Sequence, residues 1–301
     1  MPEGRPAAAA LTPVPVAAHR RSCRTAVREL SLVALGALAW GACGAVCAEP
    51  RPLWEFGLGV GALVFNDYRG ADTVHVYPVP VPYLKYRGRF LRSDQNGVRG
   101  MLFDQERIEL SLSVNGTTPV RNDSARHGMP DLRPTLEVGP ALDVHLWKSA
   151  DARAKLDVRL PVRAGFTVEA SPRMVGFFLA PNLNLDLAQH RGTEGWKLGF
   201  LAGPLFADRR YDNYFYSVAP QYTSPGRPAF EAHGGYAGTQ LLASLTRRYP
   251  GCWLGAYLRH DTLAGASFAD SPLVIRRSYW SGGFGVAWII RRSARLVESE
   301  D

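Results

Sequence analysis

Trp54-Glu55-Phe56-Gly57-Leu58-Gly59-Val60-Gly61-Ala62-Leu63-Val64 decides the fold. Trp54, Phe56, Leu58, Val60, Ala62 and Val64 form one set of alternate positions, and Glu55, Gly57, Gly59 and Gly61 stand between them. A period of two is that of a β-strand, whose side chains point alternately to opposite faces. The pattern returns at Ile108, Leu110, Leu112 and Val114, opposed by Arg107, Glu109, Ser111 and Ser113. It returns at Leu136, Val138, Leu142, Val144 and Leu146, opposed by Glu137, Asp143 and His145. Leu156, Val158, Leu160 and Val162 then oppose Lys155, Asp157, Arg159 and Arg163. Leu183–Leu187, Trp196–Ala202 and Trp280–Ile290 continue it toward the end of the chain.

A soluble sandwich also alternates, so alternation does not by itself place the chain in a bilayer. The N-terminus and the strand lengths favour the membrane. The apolar run Leu30–Ala48 follows Arg20, Arg21, Arg24 and Arg28 and ends in Val46-Cys47-Ala48. That order is the basic, apolar and small-residue order of a secretory signal peptide, expected to be cut before Glu49. Residues 1–48 are therefore expected to be a signal peptide and 49–301 the mature domain. Periodic segments of about 10 residues with aromatics at their ends fit strands that cross a bilayer. A bilayer offers no partner to free backbone groups, so such strands must close on themselves. The expected fold is all-β: a transmembrane antiparallel up-and-down β-barrel in the outer membrane, apolar side chains toward lipid and polar ones toward the lumen.

The joins Lys148–Arg153, Gln189–Gly195 and Tyr249–Gly251 are short, whereas Asn115–Leu132, Asp208–Gly235 and Leu263–Arg277 are long. Short periplasmic turns must alternate with longer outer loops. Counting Asn66–Thr73 and Ala170–Arg173 as outer loops gives about ten strands, or twelve if Tyr77–Phe103 holds an extra hairpin. A tail, Arg291–Asp301, is expected to follow the last strand as the largest free periplasmic segment.

Composition narrows the chemistry. The chain has 301 residues with 30 Gly, 22 Pro, 11% aromatics and 21% charged residues. These values, with a mean hydropathy of −0.12, suit a β protein better than a bundle of membrane helices. Loss of residues 1–48 removes five arginines and two acids, so the net charge falls from +8 to +5. The positive charges are scattered along strands rather than gathered in a stripe, which argues against nucleic acid. Of four cysteines only Cys252 lies beyond residue 48, so neither an internal disulfide nor a multi-thiolate metal site is expected. The seven histidines show no paired ligand spacing, and no cofactor is implied.

Three sets of residues could carry a site. Glu137, Asp143 and His145 share a face with Lys155, Asp157, Arg159 and Arg163 on the next strand, and opposite charges on neighbouring strands neutralise one another. In a narrow barrel they would fill much of the lumen. Asp208-Arg209-Arg210-Tyr211-Asp212 is expected at a barrel mouth, either as a self-paired network or as a contact for an anionic sugar or lipid headgroup. Asp270-Ser271 lies near His260-Asp261, which raises a hydrolase-like arrangement with Ser271 as nucleophile and His260 as base. No Gly-x-Ser-x-Gly elbow surrounds Ser271 and Pro272 follows it, so a turn is the better account and catalysis is not expected.

Several segments resemble the MipA/OmpV family of MltA-interacting proteins. Asn66-Asp67-Tyr68-Arg69-Gly70-Ala71 is similar to the family's Asp-Tyr-Pro-Gly-Ser turn, and Val81–Gly88 follows it. Val138-Gly139-Pro140-Ala141-Leu142 and Leu160-Pro161-Val162-Arg163-Ala164 are similar to a second pair of family segments. The most specific match is Ala202-Gly203-Pro204-Leu205-Phe206-Ala207-Asp208-Arg209-Arg210-Tyr211, running on through Tyr214-Phe215-Tyr216 to Ala232-His233-Gly234-Gly235-Tyr236. Leu263-Ala264-Gly265-Ala266 and Asp270-Ser271-Pro272-Leu273-Val274 complete it. Arg69 and Ala71 depart from the pattern, as does a last strand ending in Ala287-Trp288-Ile289-Ile290. The resemblance implies an outer-membrane, non-enzymatic scaffold that brings together a periplasmic murein transglycosylase and a murein synthase. A narrow solute channel and a surface adhesin or receptor are the alternatives that the residues leave open.

Overall fold

A computed structural model describes residues 50–87, 91–94, 97–104, 107–190 and 195–298. The expected signal peptide, residues 1–48, lies outside them. After β1 (Pro50–Pro52) the wall begins with β2 (Trp54–Asn66) and β3 (Val74–Arg87). It continues through the short β4 (Leu91–Asp94) and β5 (Gly97–Asp104) into β6 (Ile108–Thr117), β7 (Thr135–Lys148) and β8 (Ala154–Thr167). Next come β9 (Met174–Leu179), β10 (Asn182–Ala188), β11 (Trp196–Ala207) and the helix α1 (Arg209–Tyr216). The last strands are β12 (Gly235–Arg248), β13 (Cys252–Thr262), β14 (Ser278–Arg292) and β15 (Leu296–Glu298).

Strands β2 to β14 form one antiparallel sheet, and it closes because β8 pairs with β10 as well as with β7. β9 and β10 occupy one position in the ring: both lie between β8 and β11, and the strand is interrupted at Ala180-Pro181. Proline supplies no N–H to a ladder, which accounts for the break. Ten positions of the ring thus carry long strands, and the hairpin β4–β5 in the segment Tyr77–Phe103 brings the described ring to twelve. The extra hairpin takes the count past the ten strands preferred from sequence, although at four residues β4 is far shorter than its neighbours.

The outward face is the apolar set that alternation singled out. Phe56, Leu58 and Val60 on β2, Leu112 and Val114 on β6, Leu136 on β7 and Phe284 on β14 are all exposed, whereas Glu55, Ser111, Ser113 and Glu137 between them are buried. An apolar belt outside and carboxylates inside is the inverse of a water-soluble protein and the pattern of a membrane barrel. Among the described residues no helix is long and apolar enough to cross a membrane. Val60→Arg, near the middle of β2, should cost roughly 2–4 kcal/mol if that belt faces lipid. Urea titration of the protein refolded into lipid vesicles measures it, and a cost near zero would place Val60 in water.

β3 departs from the simple rule. Its outward residues include Pro78, Pro80 and Pro82, while Val79, Val81 and Tyr83 face inward opposite Gly61, Gly59 and Gly57. The continuous ladder to β2 needs N–H donors at those inward positions, so the three prolines leave their missing N–H groups on the far edge. That edge pairs with β4 at Tyr86 and Arg87 alone among the described residues. The lumen is correspondingly apolar here, with Phe65 stacked on Tyr77 at 5.1 Å and Tyr83 tilted against Trp253 at 6.1 Å.

The chain ends also differ from expectation. β14 runs to Arg292, and β15 then pairs with β1 in register Pro50↔Glu298 and Pro52↔Leu296. Part of the tail Arg291–Asp301 is therefore not free: Leu296–Glu298 pairs with β1, the Arg295 carbonyl accepts from the Leu53 N–H, and the Ser293 N–H donates to the Trp54 carbonyl, each at 2.8 Å.

Candidate functional site: a filled lumen beneath a folded cap

The five long connections fold against one another over one mouth of the barrel. Their cluster of buried apolar side chains includes Tyr68 from the β2–β3 connection, Val120 and Leu132 from β6–β7, Phe215 and Tyr216 from α1, and Phe268 and Leu273 from β13–β14. Tyr216 lies flat on Phe268 with centroids 3.7 Å apart. Hydrogen bonds run between different connections: Tyr68 Oη donates to the Leu273 carbonyl at 2.8 Å, and Tyr216 Oη to the Arg69 carbonyl at 3.0 Å.

Below the cap, the charges of β7 and β8 climb the wall as a ladder. Nearest the short turns, Asp157 accepts from Lys155 at 2.9 Å and meets His145 Nδ1 at 2.8 Å. One step higher Arg159 pairs with Asp143 at 3.1 Å, and Asp143 also accepts from Ser111 Oγ at 3.1 Å. Higher still, Arg163 Nε donates to Glu137 Oε2 at 3.1 Å and its Nη1 to Ser113 Oγ at 3.3 Å. The seven lumen residues named from sequence are thus brought together, because Asp143 faces Arg159 and His145 faces Asp157 across the two strands.

Glu137 also joins the wall to the cap. Its Oε1 accepts from Tyr211 Oη at 2.6 Å, and Asn115 Nδ2 donates to Oε2 at 3.2 Å. Tyr211 reaches it because Asp208 caps α1, its carboxylate accepting the Tyr211 N–H at 2.8 Å. The motif Asp208-Arg209-Arg210-Tyr211-Asp212 is therefore not one surface cluster. Asp208 holds the helix start, Tyr211 and Asp212 point inward, and exposed Arg209 pairs with Glu231.

Asp270 and Ser271 separate in the same way. Ser271 is buried, its Oγ donating to the Tyr216 carbonyl at 2.7 Å and accepting the Leu273 N–H at 3.2 Å. Asp270 pairs with Arg277 at 3.0 Å on the surface. His260 lies 2.8 Å from Ser278 Oγ and packs on Trp280, so the structure does not assemble a Ser271–His260 dyad. Asp261 pairs with Arg259 at 2.6 Å and with Arg69 at 3.4 Å. Arg69, a departure from the family turn, uses its length to reach inside and donate to the Ala237 carbonyl at 2.6 Å.

Sequence reading missed a second anchor on the opposite wall. Glu55 accepts from Arg248 at 2.6 and 3.1 Å and from Tyr83 Oη at 3.2 Å. Glu55 stands on the inward set of the opening strand, so its lumen position was legible; its partner, well over a hundred residues away, was not.

Within the cap, Asp212 is 1% exposed, and its Oδ1 has no hydrogen-bond partner among the described residues. Burial pushes its carboxyl up from 3.8 to about 7, against the lowering effects of Ser267 and Arg69. A raised folded-state value means the neutral acid is the form the cap favours. Its contribution is full below the ordinary carboxylate range and is lost as pH rises through about 7. Hydrogen exchange across Arg209–Tyr216 should therefore accelerate relative to the intrinsic rate as pH rises from about 4 to about 7 and level off above that, and Asp212→Asn should remove the change. An unchanged profile in that variant would detach the effect from Asp212.

A closed antiparallel barrel with an apolar belt, an ion-paired lumen and a folded cap defines a small transmembrane β-barrel. Within that class the chain belongs to the MltA-interacting protein family, MipA, whose model matches residues 58–290. No curated protein matches the sequence. Among solved structures the chain is similar to a bacterial polysaccharide outer membrane secretin at 11% identity and a TM-score of 0.41. That match covers 80% of this chain and 99% of the other.

Proposed function

We propose that this protein is a non-conducting, non-enzymatic scaffold of the outer membrane that holds a periplasmic murein transglycosylase at the lipid surface, with a murein synthase as a second client. The family name supports the first partner. The observation that carries the scaffold reading over the channel reading is the burial of the lumen carboxylates. Glu55 and Glu137 are each 1% exposed and Asp143 5%, although charged groups beside a water column would be wet. The channel's alternative prediction is ion conductance in planar bilayers.

A partner on the periplasmic side needs more surface than short turns offer. The β10–β11 and β12–β13 turns line a cleft of about 450 Å³ that includes Trp196, Arg247 and Tyr249. There the Arg247 guanidinium lies 5.2 Å from the Trp196 ring and 4.7 Å from the Tyr249 ring. Arginine, tryptophan and tyrosine are the residues that most often dominate protein interfaces. Affinity capture from detergent-solubilised envelopes, followed by mass spectrometry, tests the proposal. Recovery of a transglycosylase with the wild type and its loss with Arg247→Ala supports it; steady conductance with no murein enzyme recovered overturns it.

A further inference from the structure

At the capped end a second cleft, of about 630 Å³, is lined by Arg121, Arg126, Asp131, Arg133, Arg173 and Tyr214, with Pro130 and Leu132. Four guanidinium groups meet one carboxylate in that lining. It is assembled from three separate connections: β6–β7 supplies Arg121 to Arg133, β8–β9 supplies Arg173, and α1 supplies Tyr214.

The cleft is built rather than fortuitous. Arg126 is 8% exposed; its Nη1 donates to the Phe215 carbonyl at 2.9 Å and its Nη2 to the Pro130 carbonyl at 3.4 Å. Its Nε is buried without a hydrogen-bond partner among the described residues. Tyr214 is fixed by donating its Oη to the Arg133 carbonyl at 3.1 Å. Arg133 and Arg173 reach solvent, their side chains 59% and 70% exposed, and share one acid: Glu169 accepts from Arg173 Nε at 3.0 Å and lies 3.9 Å from Arg133 Nε.

Position selects the ligand. Arg133 stands two residues before β7 begins and Arg173 immediately before β9, and β7 and β9 both pair with β8. Both guanidinium groups therefore sit at the rim, where the apolar belt gives way to the loops and where lipid headgroups lie. Guanidinium forks match phosphate oxygens two at a time, and an aromatic beside them suits a sugar face.

We infer that this cleft binds the phosphorylated sugar headgroup of an anionic glycolipid in the outer leaflet. Its placement beside that leaflet rests on the outer-membrane reading above, whereas the binding test uses purified protein and is independent of the scaffold's partners. The test is native mass spectrometry and micelle binding with bis-phosphorylated lipid A, dephosphorylated lipid A and inorganic phosphate. The wild type should retain the bis-phosphorylated lipid and discard the dephosphorylated one. The pair Arg133→Gln, Arg173→Gln, exposed enough to leave folding intact, should bind about tenfold more weakly. Arg209→Gln with Arg210→Gln, on charged surface elsewhere in the cap, should bind as the wild type does. Equal retention of both lipids, or an equal loss from the two double variants, would overturn the site. Retention of inorganic phosphate without the lipid would overturn the glycolipid assignment. A heat-modifiable band from each variant confirms that the barrel being tested is folded.

Discussion

Arg163→Leu is expected to destabilise the barrel by about 3–5 kcal/mol, because it strands a buried carboxylate. Glu137 is 1% exposed in its side chain and Arg163 11%, so water does little to screen either. The arginine donates to Glu137 Oε2 at 3.1 Å, and the opposite oxygen is held by Tyr211 at 2.6 Å. Removing the cation leaves the charge in place with hydrogen bonds from Tyr211 and Asn115 but no counter-ion. The double variant Glu137→Gln, Arg163→Leu removes charge from both sides and should recover more than half of the loss, since a neutral amide tolerates burial. Urea titration in lipid, followed by tryptophan fluorescence, separates the cases. A cost for Arg163→Leu below about 1 kcal/mol, the range of an exposed ion pair, would mean that the lumen is wet. That result would also withdraw the argument for a non-conducting barrel.

Much of this architecture was legible in the residues, for a definite physical reason. A strand between lipid and lumen reports its two environments at alternate positions, so Leu136, Val138 and Leu142 against Glu137 and Asp143 disclose both faces. The pairing of Asp143 with Arg159 follows once β7 and β8 are joined by the short turn at Lys148–Arg153, because the turn sets the register. The β3 segment resisted such reading because, from Tyr77 to Leu84, its period is carried by prolines outside and valines and tyrosines inside, with no charge in that stretch to mark the lumen. The cap resisted it more completely. Connections have no hydrophobic period, so nothing near Tyr216 announces that it will stack on Phe268, or that Ser271 Oγ will donate to its carbonyl. Asp208-Arg209-Arg210-Tyr211 was visible as a charged aromatic motif, but its division into a helix cap, outward arginines and an inward tyrosine depends on α1. The pairing of β15 with β1 joins segments at opposite ends of the described chain, and local sequence carries no signal for it.

The glycines of the opening strand lead to the second large effect: Gly59→Val should prevent the barrel from closing. Gly57, Gly59 and Gly61 lie on the lumen side of β2, and β2 pairs along this stretch with β14. A Cβ on Gly59 would overlap the Val286 carbonyl oxygen, and one on Gly57 would overlap that of Trp288. Those obstacles are backbone atoms, so no rotamer change relieves them and the two strands must part. This seam joins the first long strand of the chain to the last, and the ring is complete only when it forms. The same absence of side chains makes room for Val81, whose Cγ2 would lie 2.9 Å from a Cβ on Gly61 and 3.0 Å from one on Gly285. A branched side chain at position 59 therefore opposes both the strand pairing and the lumen packing. The expected loss exceeds about 4 kcal/mol, the range reserved for severe packing defects. On gels the variant should show no heat-modifiable band and should be digested by protease at concentrations the wild type survives. Gly251→Ala in the β12–β13 turn is the matched control, since a Cβ there meets nothing within 4 Å. Wild-type yields of heat-modifiable Gly59→Val would show that β2 and β14 do not approach this closely, and would reopen how the ring is sealed.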